Sequence, residues 1–298
     1  MTSTTWESRP ELPDGAPPPD PRRSFPKWPA WMGVIAVPTA LLIAIVGGLV
    51  VSLVGVAAGD EVGDPGPASN LAATIVQDVG FIATALLLAR MVGPTRPGDF
   101  GLRLPRGLGS AVGWSLLCYG AIALVGAAAA AAFGVGSEEQ DNVLESLGIE
   151  EGSNYVILAA AIVTVAAPLA EEVLFRGFVF TALRGRLKLV GAALASGLIF
   201  GVIHLTSYTD EPLSLTLASI TTLSFFGFAL ALLYARTGSL APCIALHAVN
   251  NSIAFGVMQD WGWQIAPLVA ASLTVCMGAV WLATRVWPRA HPSAAATA

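Results

Sequence analysis

Eight apolar stretches, each long enough to cross about 30 Å of hydrocarbon, dominate this chain and leave it few ways to fold. They run near 31–58, 71–92, 108–135, 154–183, 189–207, 213–235, 239–258 and 265–286. Hydrophobic residues make up 55% of the sequence and charged residues only 12%, whereas soluble domains carry about 25% charged residues. The chain therefore reads as an all-α, polytopic membrane protein with about eight transmembrane helices, multi-pass in the cell membrane. Cys118, Cys243 and Cys276 all fall inside apolar stretches, which gives neither a disulfide framework nor a paired-cysteine metal site.

The loops fix an orientation. Those after the first, third, fifth and seventh stretches hold Asp60, Glu61 and Asp64, then Glu138, Glu139, Asp141, Glu145, Glu150 and Glu151, then Asp210 and Glu211, then Asp260, and no Lys or Arg. The alternate side holds every basic residue except Arg176, from Arg9, Arg22, Arg23 and Lys27 through Arg90, Arg96, Arg103 and Arg106 to Arg184, Arg186, Lys188, Arg236, Arg285 and Arg289. Basic loops stay in the cytoplasm, so both termini are expected there, with an even number of spans. Trp28, Trp31, Trp261, Trp263 and Trp287 fall at stretch ends, as interfacial anchors do. Three regions follow: a proline-rich, disordered cytoplasmic tail over 1–30, a membrane domain over 31–287, and a short cytoplasmic tail over 288–298. The first stretch is expected to be retained, because the tail before it is too long and proline-rich for a cleaved leader.

Inside the stretches strongly polar residues are few: Gln77, Asp78, Glu171, Glu172, Arg176, His204, His247, Asn250 and Asn251. On insertion scales each charge at a helix centre costs roughly 2.5–3.5 kcal/mol, so Glu171, Glu172 and Arg176 together cost roughly 8–10 before pairing. Such residues mark function by default. Glu172 and Arg176 are i,i+4 and share a helix face as an ion pair. Glu171 is turned about 100° away and faces something else. Pro168, just ahead, removes a backbone hydrogen bond where the carboxylates begin. Phe200 and His204 share a face of the fifth stretch, and His247 and Asn251 share one of the seventh.

These residue types suffice for hydrolysis. A carboxylate taken out of water is a usable general base for a water molecule, and a histidine beside it can hold or polarise that water. A second histidine with an asparagine on its face can donate to the oxyanion of a tetrahedral intermediate. No GxSxG motif or aspartyl pair competes for the role.

The motifs Glu171-Glu172-x-x-x-Arg176-Gly177, Phe200-x-x-x-His204 and His247-x-x-x-Asn251, in this order, resemble those of the CAAX-protease and bacteriocin-processing (CPBP, or Abi) family. That family includes the Ras-converting CAAX endopeptidase. Gly101-Leu102-Arg103 and Tyr234-Ala235-Arg236-Thr237-Gly238-Ser239-Leu240 are also similar to the family. The motif-bearing core covers about 154–258. The resemblance implies a CAAX-type intramembrane endopeptidase with Glu171 as general base, His204 helping to activate water, and His247 and Asn251 as the oxyanion site. Glu172 and Arg176 match its supporting positions, read here as an ion pair that orients Glu171. Family members are also described as metalloproteases, and Glu171, His204 and His247 would be the zinc set if a metal is present. The metal-free mechanism is the preferred expectation, with no cofactor. The expected partners are membrane lipids and a membrane-anchored or hydrophobic peptide substrate, with no nucleic acid. Arg outnumbers Lys thirteen to two, which suggests a GC-rich bacterial genome and makes peptide processing, immunity or membrane-protein turnover a better expectation than a prenylated substrate.

Two alternatives stand beside this reading: a non-catalytic immunity or scaffold protein, and a proton-coupled transporter, which usually shows repeated halves absent here. Asp78 is left outside the site, with a structural or access role as reasonable as catalysis. Asn250 is expected to turn away from the His247 face. Counting about 1.5 Å per residue from the basic ends puts Glu172 roughly 18 Å deep, His247 roughly 16 Å and His204 roughly 24 Å. Those three meet only if a helix tilts, breaks or starts deeper.

Overall fold

The computed structural model describes residues 28–135, 144, 147–150, 153–208 and 211–286. The two tails (1–27 and 288–298), Trp287 and most of the acidic residues between 136 and 152 lie outside the described residues.

The described residues form eight main helices, and among them there are no strands. They are α1 (Ala30–Ala58), α2 (Pro67–Val92), α3 (Leu108–Phe133), α4 (Tyr155–Leu183), α5 (Leu189–Ile203), α6 (Leu213–Thr237), α7 (Ala241–Met258) and α8 (Ile265–Val286). Seven are long and apolar enough to cross a membrane. The shorter one is α5: its 15 residues span about 22 Å. It ends at His204 in a 3₁₀ turn, His204–Tyr208, so the fifth stretch breaks at its histidine. Helix ends follow the sequence punctuation. Pro67 opens α2, where its missing N–H is not needed. Gly59, Gly134 and Gly238 close α1, α3 and α6 in the left-handed conformation, which glycine adopts without steric cost.

Helix α4 is the axis of the bundle. It packs against α1, α2, α5, α6, α7 and α8, and residues 170–183 are buried without interruption. By contrast α1 and α3 turn apolar side chains outward, as Leu53 (72% exposed) and Leu124 (72%) show. Apolar residues on the outside are what a hydrocarbon solvent permits, and burial then tracks helix contact rather than hydrophobicity. Trp28 departs from its expected role as an interfacial anchor. It is 4% exposed and sits between Phe100 (ring centroids 5.0 Å apart) and Phe178 (4.8 Å). Trp31 and Trp263 are exposed, at 53% and 79%.

Without a hydrophobic driving force in lipid, close backbone approach and interhelical hydrogen bonds hold the helices together. The closest approach joins α5 to α6. A Cβ on Gly197 would lie 2.5 Å from the Ser224 carbonyl oxygen and 2.6 Å from the Phe228 nitrogen. One on Gly201 would lie 2.8 Å from the Ile220 carbonyl oxygen. Gly197→Val is therefore expected to lose about 1–3 kcal/mol through overpacking, read as a lower thermal midpoint in detergent. Gly48→Val, placed where nothing lies within 4 Å, serves as the control, and equal midpoints for the two variants would refute the packing argument. On the other side of the bundle, a hydroxyl cluster joins α4, α7 and α8. The Thr164 and Ser272 hydroxyls are 2.7 Å apart, and Ser252 donates to Ser272 at 3.3 Å.

The two short motifs outside the main polar set dock on each other. The Leu240 N–H donates to the Gly101 carbonyl at 2.8 Å, and the Ser239 hydroxyl donates to the Arg103 carbonyl. Gly101 has φ +85° with the Tyr234 ring directly over it, so a side chain there meets both strain and a clash. The sequence similarity at 101–103 and 234–240 thus corresponds to one joint that ties the loop before α3 to the α6–α7 turn.

Candidate active site

The site begins with an irregularity in α4. Ile162–Ala166 and Glu172–Phe180 are π-helical, a form with one extra residue per hydrogen-bonded turn that recurs at functional sites. In the first stretch the Ala167 N–H bonds the Ile162 carbonyl, five residues back. The next donor in that register belongs to position 168, and Pro168 has no N–H. The Val163 carbonyl therefore lacks a backbone donor, and the Asn251 side chain on α7 supplies one at 2.9 Å. The wider second stretch also bonds through side chains. Thr181 donates to the Arg176 carbonyl at 3.1 Å, and Ser196 on α5 donates to the Phe175 carbonyl at 3.3 Å.

Glu172 and Arg176 form the expected i,i+4 ion pair, Nη1 to Oε1 at 2.7 Å, with both side chains 0% exposed. The same Oε1 accepts from Nδ1 of His247 at 2.8 Å. His247 is 4% exposed, and its other nitrogen, Nε2, lies 3.8 Å from Oε2 of Glu171. One imidazole thus bridges the two adjacent carboxylates, and Arg176 holds the inner one. This changes what Glu172 does. Besides balancing the guanidinium, it fixes the ring of His247, as a carboxylate behind a catalytic histidine does.

Phe200 joins the remaining parts. The Arg176 guanidinium carbon sits 4.4 Å from its ring centroid, a cation–π contact that partly solvates a cation with no bulk water beside it. His204 packs on the same ring at 4.7 Å and His247 meets it edge-on at 6.1 Å. Phe226 closes against His247 at 4.9 Å. His204 is half-buried, and its Nδ1 is 2.7 Å from the Phe200 carbonyl. A carbonyl only accepts, so that nitrogen carries the proton and the neutral ring keeps a bare Nε2. The break in α5 begins at His204, one turn beyond Phe200, whose ring it contacts.

Arg176, Glu172, His247 and Glu171 thus form one chain of polar contacts, His204 meets it through the Phe200 ring, and Asn251 bonds the backbone of α4. One amide N–H of Asn251 is committed to Val163, its oxygen accepts from Asn250 at 3.4 Å, and a second N–H remains. Asn250 turns to Asn251. Sequence reading missed the Glu172–His247 contact, which joins positions 75 apart and leaves no periodic trace. It also missed Phe226, which looks like any core aromatic. As for the zinc set, among the described residues no three His, Cys, Asp or Glu side chains are gathered to hold a metal ion. Nδ1 of both histidines is engaged in hydrogen bonds, which leaves Nε2 as the nitrogen that each ring can offer to a ligand. A mainly apolar cavity of about 310 Å³ lies between α2, α4 and α8, bounded by Leu86, Leu169, Val173 and Val280 and by Arg90 and Arg96, and none of the six polar side chains lines it.

The chain is 30% identical over 120 residues to the Bacillus subtilis (strain 168) protein named "Putative membrane peptidase YdiL". That alignment covers 40% of this chain and 43% of the relative, so the chain spans less than half the length of the curated protein it matches. No solved structure matches it. Residues 153–253 match the family described as "Type II CAAX prenyl endopeptidase Rce1-like". All six polar side chains of the site thus lie within a segment that carries the sequence pattern of the Rce1-like CAAX endopeptidase family.

Proposed function

We propose that this multi-pass membrane protein is a CAAX-type intramembrane endopeptidase. It hydrolyses a peptide bond in a membrane-associated protein or peptide with a water activated by Glu171. The observation that carries this reading is the buried relay Arg176–Glu172–His247–Glu171 across α4 and α7, inside the segment that matches the endopeptidase family.

Glu171 takes the proton of a water held between it and the bare Nε2 of His204, and the water oxygen attacks the scissile carbonyl. The oxyanion that forms needs donors. His247 supplies Nε2–H, which requires the ring to carry both protons, and Glu172 and Glu171 on its two sides balance that charge. Asn251 supplies its remaining amide N–H. Glu171 then passes its proton to the leaving nitrogen as the C–N bond breaks. Every step uses side chains alone, and no step passes through a metal. The substrate reaches the site by lateral diffusion within the membrane. The segregation of basic loops supports cytoplasmic termini, with α5 and its 3₁₀ turn as the eighth crossing.

The test uses purified protein in proteoliposomes with a library of lipidated and hydrophobic transmembrane peptides, read by mass spectrometry for new termini. Cleavage by the wild type, lost in His204→Ala and unaffected by chelators, is the expected result. Stoichiometric zinc, with activity lost to a chelator and restored by zinc, would overturn the metal-free mechanism. Uptake without cleavage would favour a transporter. A cellular activity that survives both Glu171→Gln and His204→Ala would favour a non-catalytic immunity or scaffold protein.

A further inference from the structure

Asp78 is a carboxyl that the mechanism leaves unused. It lies on the buried face of α2 with Leu71, Phe81 and Ala85, is 4% exposed, and neither of its oxygens has a hydrogen-bond partner. An ionised carboxylate in that position lacks the pairing that makes a buried charge tolerable, whereas a carboxyl that keeps a proton does not need it.

Contacts along the two helices set its level. Leu71 of α2 shares a buried cluster with Val156 and Ala160 of α4. Ten residues on, the Phe81 ring meets Phe175 edge-on at 6.2 Å. The helices therefore run in the same direction. Asp78 is three residues before Phe81 and Glu171 is four before Phe175, about 4.5 and 6 Å back along their helices. Both carboxyls thus stand about one turn from the same aromatic contact, at one level of the bundle.

The other groups packed against α2 offer no counter-ion. Helix α1 carries no titratable side chain. On α4, Arg176 is committed to Glu172 and the Phe200 ring, and Tyr155 lies near the Leu71 end. Arg90 on α2 itself is three turns away, at the helix end. Two carboxyls close together in a dry site hold a proton between them, because both cannot ionise.

We propose that Asp78 and Glu171 are a carboxyl pair that shares one proton through a bridging water. The Asp78 O–H fixes one oxygen of Glu171 and leaves the other for the water it activates. The shared proton is not consumed: the catalytic proton moves from the attacking water to Glu171 and on to the leaving nitrogen. Asp78 is thus a positioning residue, and the inference rests on the proposed role of Glu171 only in its activity arm.

Infrared spectroscopy of the purified full chain in lipid tests the pair without any substrate. A protonated carboxylic-acid C=O band is expected in the wild type, missing in Asp78→Asn, displaced in Glu171→Gln and intact in Asp60→Asn. A spectrum from which Asp78→Asn removes no such band, or a band that Glu171→Gln leaves in place, would overturn the pair. On a peptide that the wild type cleaves, Asp78→Asn keeps a donor and is expected within about threefold of wild-type kcat. Asp78→Leu is expected to lower kcat by tenfold or more, towards about 100-fold, with KM unchanged. Full activity in Asp78→Leu, or equal loss in both variants, would overturn the positioning role. If Asp78→Leu does not fold, Asp78→Asn and the infrared bands still decide. If the wild type cleaves nothing, the endopeptidase reading fails while the infrared result still decides the pair.

Discussion

Glu171→Gln is expected to lower kcat by about 10²- to 10⁴-fold while leaving the thermal midpoint and peptide binding near wild type. The amide keeps the shape of the side chain and still accepts a hydrogen bond, but it cannot take a proton from water. Glu171 makes no ion pair with Arg176, and its approach to His247 Nε2 is a loose 3.8 Å, so little of the packing depends on its charge. The variant should retain substrate, and cross-linking in native membranes followed by mass spectrometry would then identify it. An activity within tenfold of wild type would remove Glu171 as the base.

The second large effect is on stability. Arg176→Met leaves Glu172 buried beside a histidine without its cation. Glu172→Gln leaves a guanidinium at 0% exposure with only the Phe200 ring and an amide around it. Breaking one partner of a buried pair costs about 3–5 kcal/mol, whereas replacing both by apolar groups is often neutral or stabilising. The double variant Glu172→Leu/Arg176→Met is therefore expected to recover most of the melting temperature lost by either single change. It should remain poorly active, because Nδ1 of His247 has then lost its acceptor. Recovery of both stability and activity would show that Glu172 balances charge and does nothing for His247. This comparison separates the expected structural ion pair from the orienting role that its shared oxygen gives it.

Local periodicity made much of this architecture readable in advance. The eight apolar stretches became the eight main helices, and i,i+4 spacing placed Arg176 on Glu172, Phe200 beside His204, and His247 on the face of Asn251. What stayed hidden depends on distances along the chain that periodicity does not see. Oε1 of Glu172 serves two partners, and the second is 75 residues away. Asn251 was expected among the oxyanion donors from the face it shares with His247 and from the family resemblance. Its contact with Val163 follows from Pro168, whose missing N–H frees that carbonyl; the sequence shows the lost bond but not which side chain replaces it. Trp28 shows the same limit at the membrane boundary, since a tryptophan at a stretch end can face headgroups or fill the gap between Phe100 and Phe178. The fifth stretch was apolar enough for a full span, and only the break at His204 set its helical length.

The π-helical stretches of α4 also determine how this segment tolerates change in length. Between Ile162 and Phe180 the helix stores more residues than its axial run needs in an α-helix; Glu171 lies between the two stretches and Glu172 opens the second. Deleting a single residue from 162–166 would let that turn close into regular α geometry. A wide turn that gives up its extra residue leaves the segments on either side facing as before, whereas the same deletion in the α-helical Ala167–Glu171 would swing one side by about 100° relative to the other. A gap within the wide turn thus changes length and hydrogen bonding, while a gap in the α-helical turn changes which way the carboxylates face. Across related sequences a one-residue gap should therefore fall within 162–166 rather than within 167–171.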